Sequence, residues 1–193
     1  GIGFFFAVPS ALALTGSIGS VHVLAALGVA TACFLIGLVD DLAKFKGKKT
    51  EGVKARYKIV LQVAIGCALA YYALRCVPDA ATLRLPDGWP ALRLSWMFIP
   101  FVVFVFAGTI NSVNFTDGLD GLLGGCAIIA AAAFTIYIAR TCKGDERELI
   151  PLLAALAGSV AGFMWFNAHP ASLFMGDTGS LYIGGVLASV AVI

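Results

Sequence analysis

The chain has 193 residues, of which 60% are hydrophobic and 12% charged, with a formal net charge of +2 and a mean hydropathy of +0.95. Soluble globular domains carry about 25% charged residues. A soluble domain is therefore excluded and an integral membrane protein is indicated; the net charge itself says little about partners, and no nucleic acid is expected among them.

Apolar runs lie near 3–16, 21–39, 57–77, 95–112, 118–139, 149–167 and 179–193. A hydrocarbon core of about 30 Å takes roughly 20 helical residues to cross. The runs are too long and too uniformly apolar for the alternating strands of an outer-membrane barrel. The predicted fold class is all-α: a polytopic helical membrane protein with about seven transmembrane segments, forming a single domain over 1–193.

The first run opens on "GIGFFFAV" without an initiator Met, so the chain reads as a piece of a longer one, partial at both ends. A signal peptide is the competing reading, but a basic n-region and a small-residue cleavage site are both missing.

The second run passes into "FLIGLVDDLAKFKGKK", where Asp40 and Asp41 follow directly on hydrocarbon side chains. Two adjacent carboxylates repel and lose hydration there, so a positive partner is expected. Seven of the thirteen Lys and Arg (Lys44, Lys46, Lys48, Lys49, Lys54, Arg56, Lys58) lie in this loop and the start of the next run. By the positive-inside rule the loop is cytoplasmic, and the loops after the fourth and sixth runs share that face. Lys58, opening the third run, is the base most constrained to the interface; the other lysines read as topological markers or as contacts to anionic lipid.

The outward connection 78–94 contains "PDG", a turn signal. Of five cysteines, Cys33, Cys67 and Cys126 fall inside apolar runs, where Cys behaves as a small hydrophobe. None has metal-ligand spacing.

Between the fourth and fifth runs stands "NSVNFTDGLDGLLGG". A fifth helix starting near Asp117 would project Asp117 and Asp120 from one face. Asn111 and Asn114, where the fourth helix ends, are suited to freed backbone groups or a polar ligand. "NFT" matches a glycosylation sequon but is predicted cytoplasmic, and is set aside.

The last connection reads "FNAHPASLFMGDTGSLYIGG". Gly176 and Gly179 flank Asp177 and would admit a phosphate to backbone N–H groups at a helix N-terminus. Phe174 suits either stacking on a base or anchoring at the interface, as Trp165 and Phe166 do. His169 has no ligand-spaced partner, and its role is open. Asp117 and Asp177 each also read as a helix N-cap.

Taken together, Asp40, Asp41, Asp117, Asp120 and Asp177 are five acids assigned to one membrane face by a topology derived from lysines alone. Hard oxygen ligands of this kind suit Mg²⁺ shared with substrate phosphates. With the basic loop they supply both halves of phosphate chemistry, a metal and fixed cations.

The aspartate pair followed by "GVKARYK", "NSVNFTDGLDGL" and "FNAHPASLFMGDTGSL" resembles the polyprenyl-phosphate N-acetylhexosamine-1-phosphate transferase superfamily. Within it the wording is most similar to the MraY family, the phospho-N-acetylmuramoyl-pentapeptide-transferases, along essentially the whole chain. The resemblance implies Mg²⁺-dependent transfer of phospho-MurNAc-pentapeptide from UDP-MurNAc-pentapeptide to undecaprenyl phosphate, giving lipid I and UMP. It implies a bacterial inner-membrane location with the site facing the cytoplasm.

By the same resemblance, Asp40 and Asp41 are a catalytic pair, Asp40 being base or nucleophile, and Asp177 is a catalytic residue that holds Mg²⁺. Asn114, Asp117, Asp120 and Phe174 belong to the nucleotide and metal region, with Phe174 stacking on uracil. Lys58 and Asn111 help to hold phosphates. A homodimer stays open, since small-residue helix faces serve intramolecular packing equally well.

The family's histidine-rich loop, and its first helix with the "PTMGG" loop after it, do not occur in these residues, so residues 1–193 alone are expected to be inactive. A sister enzyme using UDP-GlcNAc is the near alternative, against which "FNAHPA" and "NFTDG" argue. A cation transporter is the remote one, and would place carboxylates near the bilayer midplane rather than at run ends.

Overall fold

The computed structural model describes residues 1–46, 52–83 and 91–193. Among the described residues, seven α-helices follow the seven predicted runs: α1 (Ile2–Leu14), α2 (Val21–Lys46), α3 (Ala55–Cys76), α4 (Phe98–Thr116), α5 (Leu122–Thr141), α6 (Leu149–Asn167) and α7 (Gly176–Val192). Five segments, Val21–Phe45, Ala55–Cys76, Ser95–Thr116, Leu122–Thr141 and Asp145–Asn167, are long and apolar enough to cross a membrane. The protein is thus an all-α, multi-pass membrane protein. At 13 and 17 residues, α1 and α7 are shorter than those five.

Each outer helix buries a narrow stripe. In α4 the buried residues Phe98, Val102, Phe106 and Ile110 recur every fourth position, and in α1 Phe4, Val8 and Leu12 do the same. Such rows are the ridges by which helices pack, and the remaining faces are left to lipid. The helix α7 differs, being buried on every side from Thr178 to Val190. It is the axis of the bundle, packed chiefly against α2 and α4.

Small residues make that possible. A Cβ on Gly184 would stand 3.0 Å from the Ile110 Cα, and one on Gly185 would stand 3.1 Å from the Ala30 Cα. Backbone-to-backbone approach of this kind replaces the hydrophobic effect as the source of helix association where the solvent is itself hydrocarbon.

Two expected boundaries move. The second apolar run ends at 39, but α2 continues to Lys46, so Asp40 and Asp41 lie inside the helix and do not end it. Good helix formers and the Asp40–Lys44 pair at i,i+4 carry the helix past its apolar part. The fifth helix starts at Leu122 and not near Asp117, because Gly121, its N-cap, takes φ +73, a left-handed conformation that interrupts the helix. Asp117 and Asp120 therefore sit in the α4–α5 turn, and the expected shared helix face does not exist.

At the opposite end from these acids, a two-stranded antiparallel ribbon, β1 (Thr82–Leu83) with β2 (Leu92–Arg93), pairs Thr82 with Arg93 and Leu83 with Leu92. The expected "PDG" turn at 86–88 lies outside the described residues, as do Lys48 and Lys49.

Candidate active site

One end of the bundle collects the C-terminal turns of α2, the start of α3, the α4–α5 turn and the α6–α7 connection. There Asp40, Asp41 and Asp177 offer carboxylate oxygens that all lie within 4.8 Å of one another. Two lysines meet them. Lys58 Nζ stands 2.8 Å from Asp40 Oδ1 and 2.8 Å from Asp177 Oδ2. Lys44 Nζ stands 2.7 Å from Asp40 Oδ2, 3.2 Å from Asp177 Oδ1 and 4.0 Å from Asp41 Oδ1. The positive partner that the adjacent carboxylates demanded is this pair of ammonium groups.

The three acids are not equivalent. Asp40 is fully buried, and its Oδ1 also accepts the Val53 N–H at 2.8 Å. A Cβ on Gly52 would come within 2.5 Å of that oxygen, so the chain can cross the carboxylate only where a side chain is missing. Asp41 turns the other way. Its Oδ1 accepts the Asp177 N–H at 3.2 Å, and its Oδ2 accepts the Thr178 N–H at 2.9 Å together with the Thr178 hydroxyl.

Helix α7 has no side-chain cap from its own neighbours, its N-cap being Met175. Asp41 therefore supplies from α2 the anion that the first N–H groups of a helix attract. The N-cap role considered for Asp177 is corrected accordingly: Asp177 lies in the first turn of α7, and its own N–H is one of those Asp41 receives. Asp117 is likewise no N-cap; it is the C-cap of α4.

Close packing fixes this arrangement, since a Cβ on Gly37 would collide with the Asp177 carbonyl. Replacing Asp41 with alanine is expected to destabilise the protein by about 1–2 kcal/mol, as for loss of a helix cap. Asp41→Asn, which keeps an acceptor, should recover about half of that loss in thermal unfolding.

Asn114 donates from Nδ2 to Asp177 Oδ1 at 3.2 Å and to Ser180 Oγ at 2.7 Å, so it belongs to the cluster. Asn111, one turn earlier on α4, is engaged elsewhere. Its Nδ2 donates to Gln62 Oε1 at 2.7 Å and to the Ala107 carbonyl at 2.7 Å, and Gln62 Nε2 donates back to its Oδ1 at 3.3 Å. Gln62 is four residues beyond Lys58 on α3, so this reciprocal amide pair locks α3 to α4 and sets where Lys58 enters the site.

Asp117 lies beside the cluster. Burial, together with the neighbouring Asp177 charge, pushes its carboxyl up to about 6. Asp120 does not reach the three-acid cluster. Its Oδ2 accepts the Ala171 N–H at 3.1 Å and stands 3.1 Å from His169 Nδ1, which hold its carboxyl below the ordinary value. His169 thus has a partner after all. Nearby, the buried Asn167 accepts the Gly121 N–H on Oδ1 at 3.1 Å and donates to the Leu173 carbonyl at 2.8 Å, tying the α4–α5 turn to the segment before α7.

On that segment Phe174 is 75% exposed. It lines a cavity of about 490 Å³ with Phe4, Phe163, Phe166 and Leu173, an apolar recess between α1 and α6.

Lys44, Gln62, Asn167, Thr178 and Ser180 are residues to which the sequence reading gave no role in the site. Lys44 carried the one usable signal, its i,i+4 spacing from Asp40.

Residues 23–193 match glycosyl transferase family 4. The chain is 37% identical over 201 residues to the phospho-N-acetylmuramoyl-pentapeptide-transferase of Gemmatimonas aurantiaca, covering 89% of this chain and 52% of that protein. It is 38% identical over 158 residues to the enzyme of that name from Clostridioides difficile and 41% identical over 160 residues to that of Bacillus pumilus. Each of these two alignments covers 82% of this chain and 48% of the relative. The chain spans about half the length of the curated relatives it matches.

Proposed function

The chain belongs to glycosyl transferase family 4, and from that premise we propose that it serves transfer of phospho-MurNAc-pentapeptide from UDP-MurNAc-pentapeptide to undecaprenyl phosphate, with release of UMP. The observation that carries the reading is the convergence of Asp40, Asp41 and Asp177 with Lys44 and Lys58 at one end of membrane-crossing helices. A water-soluble nucleotide sugar and a lipid phosphate can meet only at such an interface. The names of the relatives support the choice of sugar.

In this reaction an oxygen of the lipid phosphate forms a bond to the sugar-bearing phosphorus, and the bond from that phosphorus to the oxygen of UMP breaks. Lys58 and Lys44 offer positive charge to the diphosphate. Asp40, desolvated and held by Lys58, is placed to accept a proton or to position the attacking group. Asp41 holds α7 so that Asp177 faces the lysines. The buried Asp40 oxygen and the hard carboxylate donors fit a divalent cation, and Asp177 with Asp40 would hold Mg²⁺, since both oxygens of Asp41 already accept from α7. When bound, Mg²⁺ supplies neutralisation of the diphosphate charge. Phe174, beside the apolar recess, is the ring available to a base. The lysine bias supports a site facing the cytoplasm of a bacterial inner membrane.

The test is release of labelled UMP by the full-length protein, with undecaprenyl phosphate and either UDP-MurNAc-pentapeptide or UDP-GlcNAc. Release is expected from the first donor with Mg²⁺, and none with EDTA. Release from UDP-GlcNAc alone would transfer the reading to the sister reaction, and silence with both donors would end it.

A further inference from the structure

We propose that Lys44 is an exchangeable internal cation of the carboxylate cluster, occupying the oxygens on which a divalent metal would sit and giving them up when that metal binds. The inference rests on the reading of the cluster as a metal site and goes beyond it by assigning a competitor.

Of the two lysines, only Lys44 touches all three acids, at 2.7 Å from Asp40 Oδ2, 3.2 Å from Asp177 Oδ1 and 4.0 Å from Asp41 Oδ1. Asp40 Oδ2 is the informative atom. It belongs to a side chain of 0% exposure, and among the described residues it accepts no hydrogen bond, so the Lys44 ammonium is its compensation as an ion pair without hydrogen-bond geometry. A buried carboxylate oxygen left otherwise bare suits a ligand that binds by charge alone.

Asp177 Oδ1 is the second oxygen Lys44 faces, and there Asn114 is the other donor. Lys58, by contrast, stands on Asp40 Oδ1 and Asp177 Oδ2, the other oxygen of each pair. The two ammonium groups thus divide the oxygens between them, and the set held by Lys44 can be vacated without disturbing Lys58.

The means of leaving is also present. The Lys44 side chain is 41% exposed against 22% for Lys58, and it stands in the last turn of α2. Its flexible stem allows the ammonium to rotate into water while staying tethered one turn from Asp40. A divalent ion and an ammonium on the same oxygen repel each other strongly at contact distance, so occupancy by one opposes occupancy by the other. Freed in this way, Lys44 remains beside the phosphates that the metal would accompany, and the same residue compensates the acids before binding and the substrate after it.

The test is Mn²⁺ binding to the purified full-length protein, followed by electron paramagnetic resonance of the free ion, which needs no turnover. Lys44→Met is expected to bind Mn²⁺ about ten-fold more tightly or better, because the competing charge is gone. Lys54→Met removes a charge that touches none of the acids and is expected to leave the affinity within about two-fold. Asp177→Asn should weaken binding in either background. Lys44→Gln serves if the Met variant does not fold.

Unchanged or weaker binding in the Lys44 variants, or an equal gain in Lys54→Met, overturns the proposal. If wild type binds Mn²⁺ no better than Asp177→Asn does, the metal reading itself falls and the proposal with it.

Discussion

Asp177→Asn is expected to lower UMP release by about 10²–10³-fold at saturating Mg²⁺, the range seen when a preorganised electrostatic group is removed from a polar transition state. The substitution is nearly isosteric. It keeps an acceptor for Lys58, whose Nζ lies 2.8 Å from Oδ2, and it removes the charge that Lys44 and Lys58 jointly face. The loss should therefore be chemical and not structural. Helix α7 forfeits an acid in its first turn, worth about 0.3–1 kcal/mol, while the cap from Asp41 stays in place. Thermal unfolding should shift little as turnover collapses. An unchanged rate at saturating Mg²⁺ would refute the metal role of Asp177.

That expectation depends on a contact the sequence could not display. The five membrane-crossing helices were legible because each must supply roughly 20 apolar residues in a row, a constraint the bilayer imposes on composition directly. The common face of the acids was legible for a similar reason: lysine bias fixes topology, and topology fixes which ends meet. What topology leaves open is which atom each acid addresses. Asp41 reads as the twin of Asp40, yet it is bound to the N–H groups of Asp177 and Thr178, more than 130 residues along the chain.

Asn111 reads as a phosphate ligand by resemblance, whereas the amide it meets is Gln62, across a packing of α3 on α4 that no periodicity announces. The error over Asp117 and Asp120 had a local cause. Gly121 stood in the sequence as one glycine among four, and only its left-handed backbone shows that the helix begins after it. Lys44 was hidden by its neighbours, because a lysine in a basic loop already has a sufficient explanation as a topological marker.

The largest effect on stability is expected at Lys58. Its ammonium bridges a fully buried carboxylate and a mostly buried one, so Lys58→Met strands charge where water cannot reach it. Breaking a buried pair from one side costs about 3–5 kcal/mol. Lys44 still compensates one oxygen of each acid, and the Val53 N–H remains on Asp40, which reduces the expected loss to roughly 2–4 kcal/mol.

The source of this cost is uncompensated charge and not lost packing, and a double variant isolates it. Asp40→Asn combined with Lys58→Met removes both members of the pair and should recover more than half of the lost stability. It should recover no UMP release, since the double variant lacks both the desolvated acid and the cation that holds it. Chemical denaturation in detergent, read beside the UMP assay, separates the two consequences. Equal instability of the single and double variants would mean that Lys58 supports the fold through its stem packing and not through charge. Rescue of stability without rescue of turnover would place Asp40 and Lys58 together in the chemistry, as residues whose burial the fold tolerates because α3 and α7 are held against them by Gln62, Asn111 and Asp41.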